Sequence, residues 1–157
     1  MDANEAILEQ WVVRTAESYP HHAAALLSKE RDPFRNPVGD TLRQSLALLL
    51  RELFAEMDAT AIDSALDPII RLQAIQGFSS DDAVRFVSLL KPILRELAPE
   101  RNSAVLDRRI DDDRINRLAV MAADKCTQCR EQLARIRANE VQRANHVQQR
   151  IRARRPA

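Results

Sequence analysis

Glycine occurs only twice in this chain of 157 residues, tryptophan and tyrosine once each and phenylalanine four times. One or two glycines cannot build the multi-glycine loop that cradles a phosphate. So few glycines and aromatics also leave little material for hairpins and strands. Cysteine is equally scarce, with two residues in all, which excludes a disulfide scaffold and is compatible with a reducing compartment. No run approaches the roughly 18 uninterrupted apolar residues of a membrane span, and the opening MDANEAILEQW carries acids and no basic, then apolar, leader. The expectation is a cytoplasmic protein with no membrane association. Nor is there an excess of either charge: 24 basic residues against 23 acidic give +1, which argues against a globally basic nucleic-acid binder. No catalytic signature is present, so the chain is not expected to be an enzyme.

What is present is 45% hydrophobic and 30% charged sequence, long enough for one sizeable core. Alanine, leucine, arginine and glutamate abound, which points to an all-α protein. Charge is unevenly placed. From Lys125 to the end nine basic residues face only Glu131 and Glu140, so the C-terminal segment is strongly basic and the remainder acidic.

Apolar residues at three- and four-residue steps outline the helices. Ile7, Leu8, Trp11, Val12 and Thr15 mark a first helix closed by Tyr19-Pro20, because a proline disfavours helical geometry in the residue before it. A short helix is expected around His22 to Leu27, then an irregular loop from Lys29 to Gly39. Val38 to Met57 reads as a helix buried through Leu42, Leu46, Leu49, Leu50, Leu53 and Phe54, with the next cap between Asp58 and Thr60. Ile62 to Gln76 follows; Pro68 should kink it or restart it with Asp67 as a fresh cap, and Gly77 ends it. Ser79 or Ser80 caps another helix running to Leu97 and bent by Pro92. Beyond an acidic stretch to Asp113, small and apolar residues from Ile115 through Leu118, Ala122, Cys126, Cys129, Leu133, Ile136, Ala144, Val147 and Ile151 predict one long helix with a narrow seam. Its last two or three turns should extend into solvent. Two regions result: a helical one over 1–98, and 99–157 comprising the acidic connection and the basic helix, packing on the same domain.

Cys126 and Cys129 form a CxxC pair, which serves as a redox couple or half a zinc site elsewhere. Here they fall on the helix seam, where cysteine packs as a small apolar residue. Two further zinc ligands would have to come from His21, His22, His146 or carboxylates, and no metal site is expected. Haem would need an axial histidine deep between helices, and none of the three is so placed; no cofactor is expected. The arginine-rich tail offers phosphate contacts but no interleaved aromatics, which argues against sequence reading of nucleic acid.

Trp11, Tyr19-Pro20, Asp32-Pro33-Phe34-Arg35-Asn36-Pro37-Val38-Gly39, Ala65-Leu66-Asp67, Ile69-Ile70-Arg71-Leu72-Gln73-Ala74-Ile75-Gln76, Phe78-Ser79 and the stretch Phe86 to Lys91 come in this order. Together they resemble the RsbRD N-terminal domain family, the input domain of co-antagonists of the RsbT kinase in the bacterial general stress switch. The resemblance covers most of residues 5 to 97. It implies a globin-related helical bundle lacking haem, commonly dimeric, that passes a signal to a regulatory protein without catalysis. In longer members a linker helix leads to a STAS domain; the expectation here is a stand-alone domain without one. The resulting expectation is a signalling module acting through protein–protein contacts as a homodimer. Its candidate interaction residues are Asp32, Phe34, Asn36, Arg71, Gln76, Arg130 and Arg137. The alternatives are a thiol or metal sensor using Cys126 and Cys129, and a nucleic-acid adaptor using the tail.

Overall fold

In the computed structural model, residues 3–19, 32, 34–97 and 112–154 are described. They form α1 (Ala3–Glu17), α2 (Pro37–Phe54), α3 (Ala59–Ile75), α4 (Ser80–Ser88), α5 (Leu90–Leu97) and α6 (Asp112–Arg154), with no strand among them. The fold is an all-α bundle with a long C-terminal helix. The helix expected around His22 to Leu27, most of the acidic connection before Asp112, and His21 and His22 lie outside the described residues.

The leucine stripe of α2 packs on α3, α1 lies across α2 and α5, and the first half of α6 closes the bundle against α3 and α4. One apolar cluster joins Ile7 and Trp11 of α1, Leu42, Leu46 and Leu49 of α2, Ile62, Leu66 and Ile69 of α3, Phe86 of α4, and Ile115, Leu118 and Ala122 of α6. Trp11 is completely buried. Its indole Nε1 donates to the Phe86 carbonyl at 2.7 Å and its ring stacks on Phe86 with centroids 6.2 Å apart, so the apolar body and the polar edge are both satisfied. At the other end of the bundle the Arg114 guanidinium donates to the carbonyls of Leu53 and Ala55 at 2.8 and 2.6 Å. It thereby occupies carbonyls at the end of α2 that have no intrahelical donor.

Local signals set most helix ends. Asp58 accepts from the Ala61 N–H at 3.1 Å and Ser79 from the Asp82 N–H at 3.2 Å, the bonds expected of N-caps. Gly77, at φ +76°, ends α3 in a Schellman turn: the Phe78 N–H reaches the Gln73 carbonyl and the Gly77 N–H the Ala74 carbonyl, both at 3.1 Å. Three boundaries differ from expectation. The helix α2 stops at Phe54, and Met57, at φ +55°, occupies the turn with its side chain in the core.

The second difference is that α3 runs unbroken through Pro68, and Asp67 does not restart it. The proline deprives only the Ser64 carbonyl of its helical donor. Ser64 is exposed, and Asp67 uses its carboxylate on Arg71 and Lys125 instead. Pro92 does more than the expected bend: the single helix expected to run to Leu97 is two. Its missing N–H would have bonded the Ser88 carbonyl, and the chain breaks there into α4 and α5.

Candidate functional site

Two exposed surfaces collect the candidate residues. The first lies where α2 begins beside the second half of α3. The Asp32 carboxylate accepts from the Phe34 N–H at 3.0 Å, and the Asp32 carbonyl accepts from the N–H groups of Arg35 and Asn36 at 3.1 and 2.9 Å, which folds the chain into a turn. That turn delivers Asn36 to the N-cap of α2, where its Oδ1 accepts from the Gly39 N–H at 2.9 Å. Asn36 is buried, and a β-carbon on Gly39 would stand only 2.1 Å from Asn36 Nδ2. The Asn-Pro-Val-Gly element is thus a cap closed on itself: asparagine supplies the acceptor, proline presets the first turn, and glycine leaves room for the amide.

With Asn36 turned inward, the surface beside it is apolar. Pro37, Val38 and Thr41 from α2 face Pro68, Arg71, Leu72 and Ile75 from α3 across an open groove of about 280 Å³. Ile75 is 81% exposed and Phe34, just before the cap, 97% exposed. Arg71 stands on the rim, its Nε 2.8 Å from the Asp67 carboxylate in an i,i+4 pair on the surface. Gln76 is exposed and caps the end of α3 through its main-chain N–H.

The buried amide of this helix is Gln73, not Gln76. It is 1% exposed, and its Oε1, the Tyr19 Oη and the Thr15 Oγ1 have no hydrogen-bond partner among the described residues. Burial pushes the Tyr19 hydroxyl up to about 12, partly offset by the neighbouring Gln73 amide. Tyr19 and Phe78 pack ring on ring, with centroids 5.2 Å apart. Tyr19 and Gln73, neither of them among the candidate interaction residues, meet in this buried polar spot, and the signal for it was a single tyrosine at the end of an apolar stripe.

The second surface is α6, whose two halves have different fates. Its first half is anchored. Lys125 bridges Asp63 and Asp67 of α3 at 3.1 and 3.3 Å. Burial disfavours the ammonium, but hydrogen bonds and charge from the two carboxylates outweigh that and hold its pKa above the ordinary lysine value. Cys126 is buried in the main cluster and Cys129 packs half-buried against it. Three residues apart on one helix, their β-carbons stand about 5–6 Å apart, beyond the roughly 3.5–4.5 Å a disulfide requires. Among the described residues no group of three or more histidine, cysteine or carboxylate side chains is placed to hold a metal ion. Arg130 makes the last contact with the body, donating to the Phe78 carbonyl at 3.0 Å.

From Glu131 to Arg154 every residue of α6 is exposed, Arg137 among them. This corrects the expectation that only the last two or three turns leave the body; the first half of the helix does pack on the rest of the bundle. The departure begins at Arg130, and the arm is about 36 Å long at 1.5 Å per residue. Among the described residues, α3 ends beside this point in the Schellman turn at Gly77. Leu133, Ile136, Val147 and Ile151 remain between 39% and 54% exposed, among six arginines and two glutamates.

The family model that matches this chain is the RsbT co-antagonist protein rsbRD N-terminal domain, aligned over residues 5–141. This chain belongs to the RsbRD N-terminal domain family. The family match takes in the whole bundle and also the first part of the exposed arm, further than the stretch from 5 to 97 that carried the resemblance. No curated protein and no solved structure matches the chain. No helix among the described residues is long and apolar enough to cross a membrane.

Proposed function

We propose that this RsbRD N-terminal domain is a non-enzymatic input module that acts as a dimer in the cytoplasm and conveys a signal to a regulatory protein through the displacement of α6. One observation carries the reading. The same uninterrupted helix provides Leu118, Ala122 and Cys126 to the core and then continues for about 36 Å in which every residue from Glu131 to Arg154 is exposed. A rigid rod shared by a core and an exposed arm converts a small repacking of α3 and α4 into a larger displacement at the tip. The apolar groove at Val38 and Ile75 is a second surface that such a protein can use, and it lies on α3, one of the helices that grips the rod.

The test is site-specific photocrosslinking in the native host. A photoreactive residue in place of Val141, on the arm, is compared with one in place of Leu48, exposed on α2. Discrete adducts with another protein from the arm position alone support the reading. Equal labelling from both positions, or adducts from neither, refutes it. Double replacement of Cys126 and Cys129 by alanine should leave the adducts unchanged, whereas a thiol sensor would lose them.

A further inference from the structure

The exposed stripe of the arm is not a new face of α6. At about 100° per residue, the line through Leu118, Ala122 and Cys126 that packs into the bundle continues within roughly 40° through Leu133, Ile136, Glu140, Val147 and Ile151. The face that meets α3 and α4 in the first half is therefore the face left uncovered in the second. Body and arm together form a notch. Its floor is this stripe, its end wall is the bundle near Phe78 and Arg130, and its length is that of the arm itself.

We infer that the notch is filled by the arm of a second copy of this chain, lying antiparallel. The proposal rests on the dimeric reading above and specifies how the two copies meet. Charge and shape on the stripe select the direction. In an antiparallel pair centred between Glu140 and Arg143, Ile136 meets the partner subunit's Val147, Leu133 meets the partner subunit's Ile151, and Glu140 meets the partner subunit's Arg143. Each contact occurs twice by symmetry. The one acid on the stripe is thus matched to a base, and each large apolar residue to another.

A parallel pair in register would instead set Glu140 against Glu140 and Arg143 against Arg143, like charges facing across a seam. The surroundings agree with the antiparallel choice. The tip, with Arg150, Arg152 and Arg154, comes to lie at the partner's bundle, and the chain up to Asp124 carries a net negative charge. The two arms are identical and therefore equal in length, so one fills the notch of the other from end to end. Four large apolar residues per arm make a modest seam, and the symmetric Glu140 contacts provide the register.

The test uses the whole chain. Sedimentation should show a dimer, and Glu140→Arg or Arg143→Glu alone should raise its dissociation constant at least about tenfold, because each puts like charges opposite one another twice. The double exchange Glu140→Arg with Arg143→Glu should restore affinity to within about threefold of the parent, since the pair is re-formed with its signs reversed. Circular dichroism and Trp11 fluorescence verify the fold of each variant, which these exposed positions do not disturb.

Direction is read by mild oxidation in a background with Cys126→Ala and Cys129→Ala. Protein carrying Ile136→Cys mixed with protein carrying Val147→Cys should yield the mixed disulfide, and Ile136→Cys alone should yield little. Efficient self-linking of Ile136→Cys would overturn the antiparallel arrangement. A monomer at all concentrations would overturn the second-copy proposal outright; if Val141 still labels another protein in that case, the input-module reading survives. An antiparallel dimer without such labelling supports the second-copy proposal and refutes the input-module reading.

Discussion

Replacing Gly39 with alanine should destabilise the protein even though alanine is the better helix former. The added β-carbon would lie 2.1 Å from Asn36 Nδ2, 2.7 Å from Cγ and 2.9 Å from Oδ1, so the amide must leave its seat. Leaving forfeits the 2.9 Å bond to the Gly39 N–H in a position where Asn36 is 2% exposed. Loss of an N-cap costs about 1–2 kcal/mol and stranding a buried polar group about 1–3, against about 1 regained from helix propensity, for a net loss of about 1–4 kcal/mol. The diagnostic step is a double-mutant cycle. In an Asn36→Ala background the obstructing amide is gone, and Gly39→Ala should become neutral or stabilising by up to about 1 kcal/mol. Urea unfolding followed by helical circular dichroism measures all four corners of the cycle. Equal effects of Gly39→Ala in the two backgrounds would refute the steric argument.

Other outcomes follow from the same structure. Deleting the chain beyond Arg130 should change the unfolding free energy of the monomer by less than about 0.5 kcal/mol, since every residue from Glu131 to Arg154 is exposed, while abolishing dimerisation; differential scanning calorimetry with sedimentation checks both. Trp11→Phe, which orphans the Phe86 carbonyl, should cost about 1–3 kcal/mol in urea unfolding. Tyr19 is the only tyrosine, so the ultraviolet absorbance of its phenolate reads one site: ionisation in the folded protein should centre near 12 rather than 10. Its contribution to stability is full below pH 10 and is lost as pH rises toward 12. Lys125 has the same sign: its pairing with Asp63 and Asp67 stabilises the fold below the ordinary lysine pKa and is lost above it. The difference in stability between the parent and Lys125→Met should therefore shrink on moving to strongly alkaline pH.

Helix ends and buried faces were legible because they depend on neighbouring residues. Asp58, Ser79 and Gly77 act through bonds spanning three to five positions, and Trp11 through the stripe it belongs to. What depends on distant surroundings was not legible. Pro68 reads as a breaker, yet the helix continues through it, with the one carbonyl it deprives belonging to the exposed Ser64. Gln73 and Gln76 are both polar on one helix, and which of them is buried is decided by α1 arriving with Tyr19. Periodicity likewise identified the apolar line of α6 correctly but carried no information about where its cover ends. The candidate site shows the same division: the apolar groove joining Val38 to Ile75 brings together residues far apart in sequence.

Phe78 makes three attachments from a single position in the chain. Its ring lies on Tyr19 of the α1 end, its N–H is tied to Gln73 of α3, and its carbonyl receives Arg130 at the foot of the arm. The foot of the arm is thereby tied to the bundle once more, beyond the Lys125 bridges to Asp63 and Asp67. On the proposed reading, Phe78 would be the bearing of a lever: an event that tilts the tyrosine ring or loosens the turn would be felt at the fulcrum, and the far tip would sweep through the resulting arc.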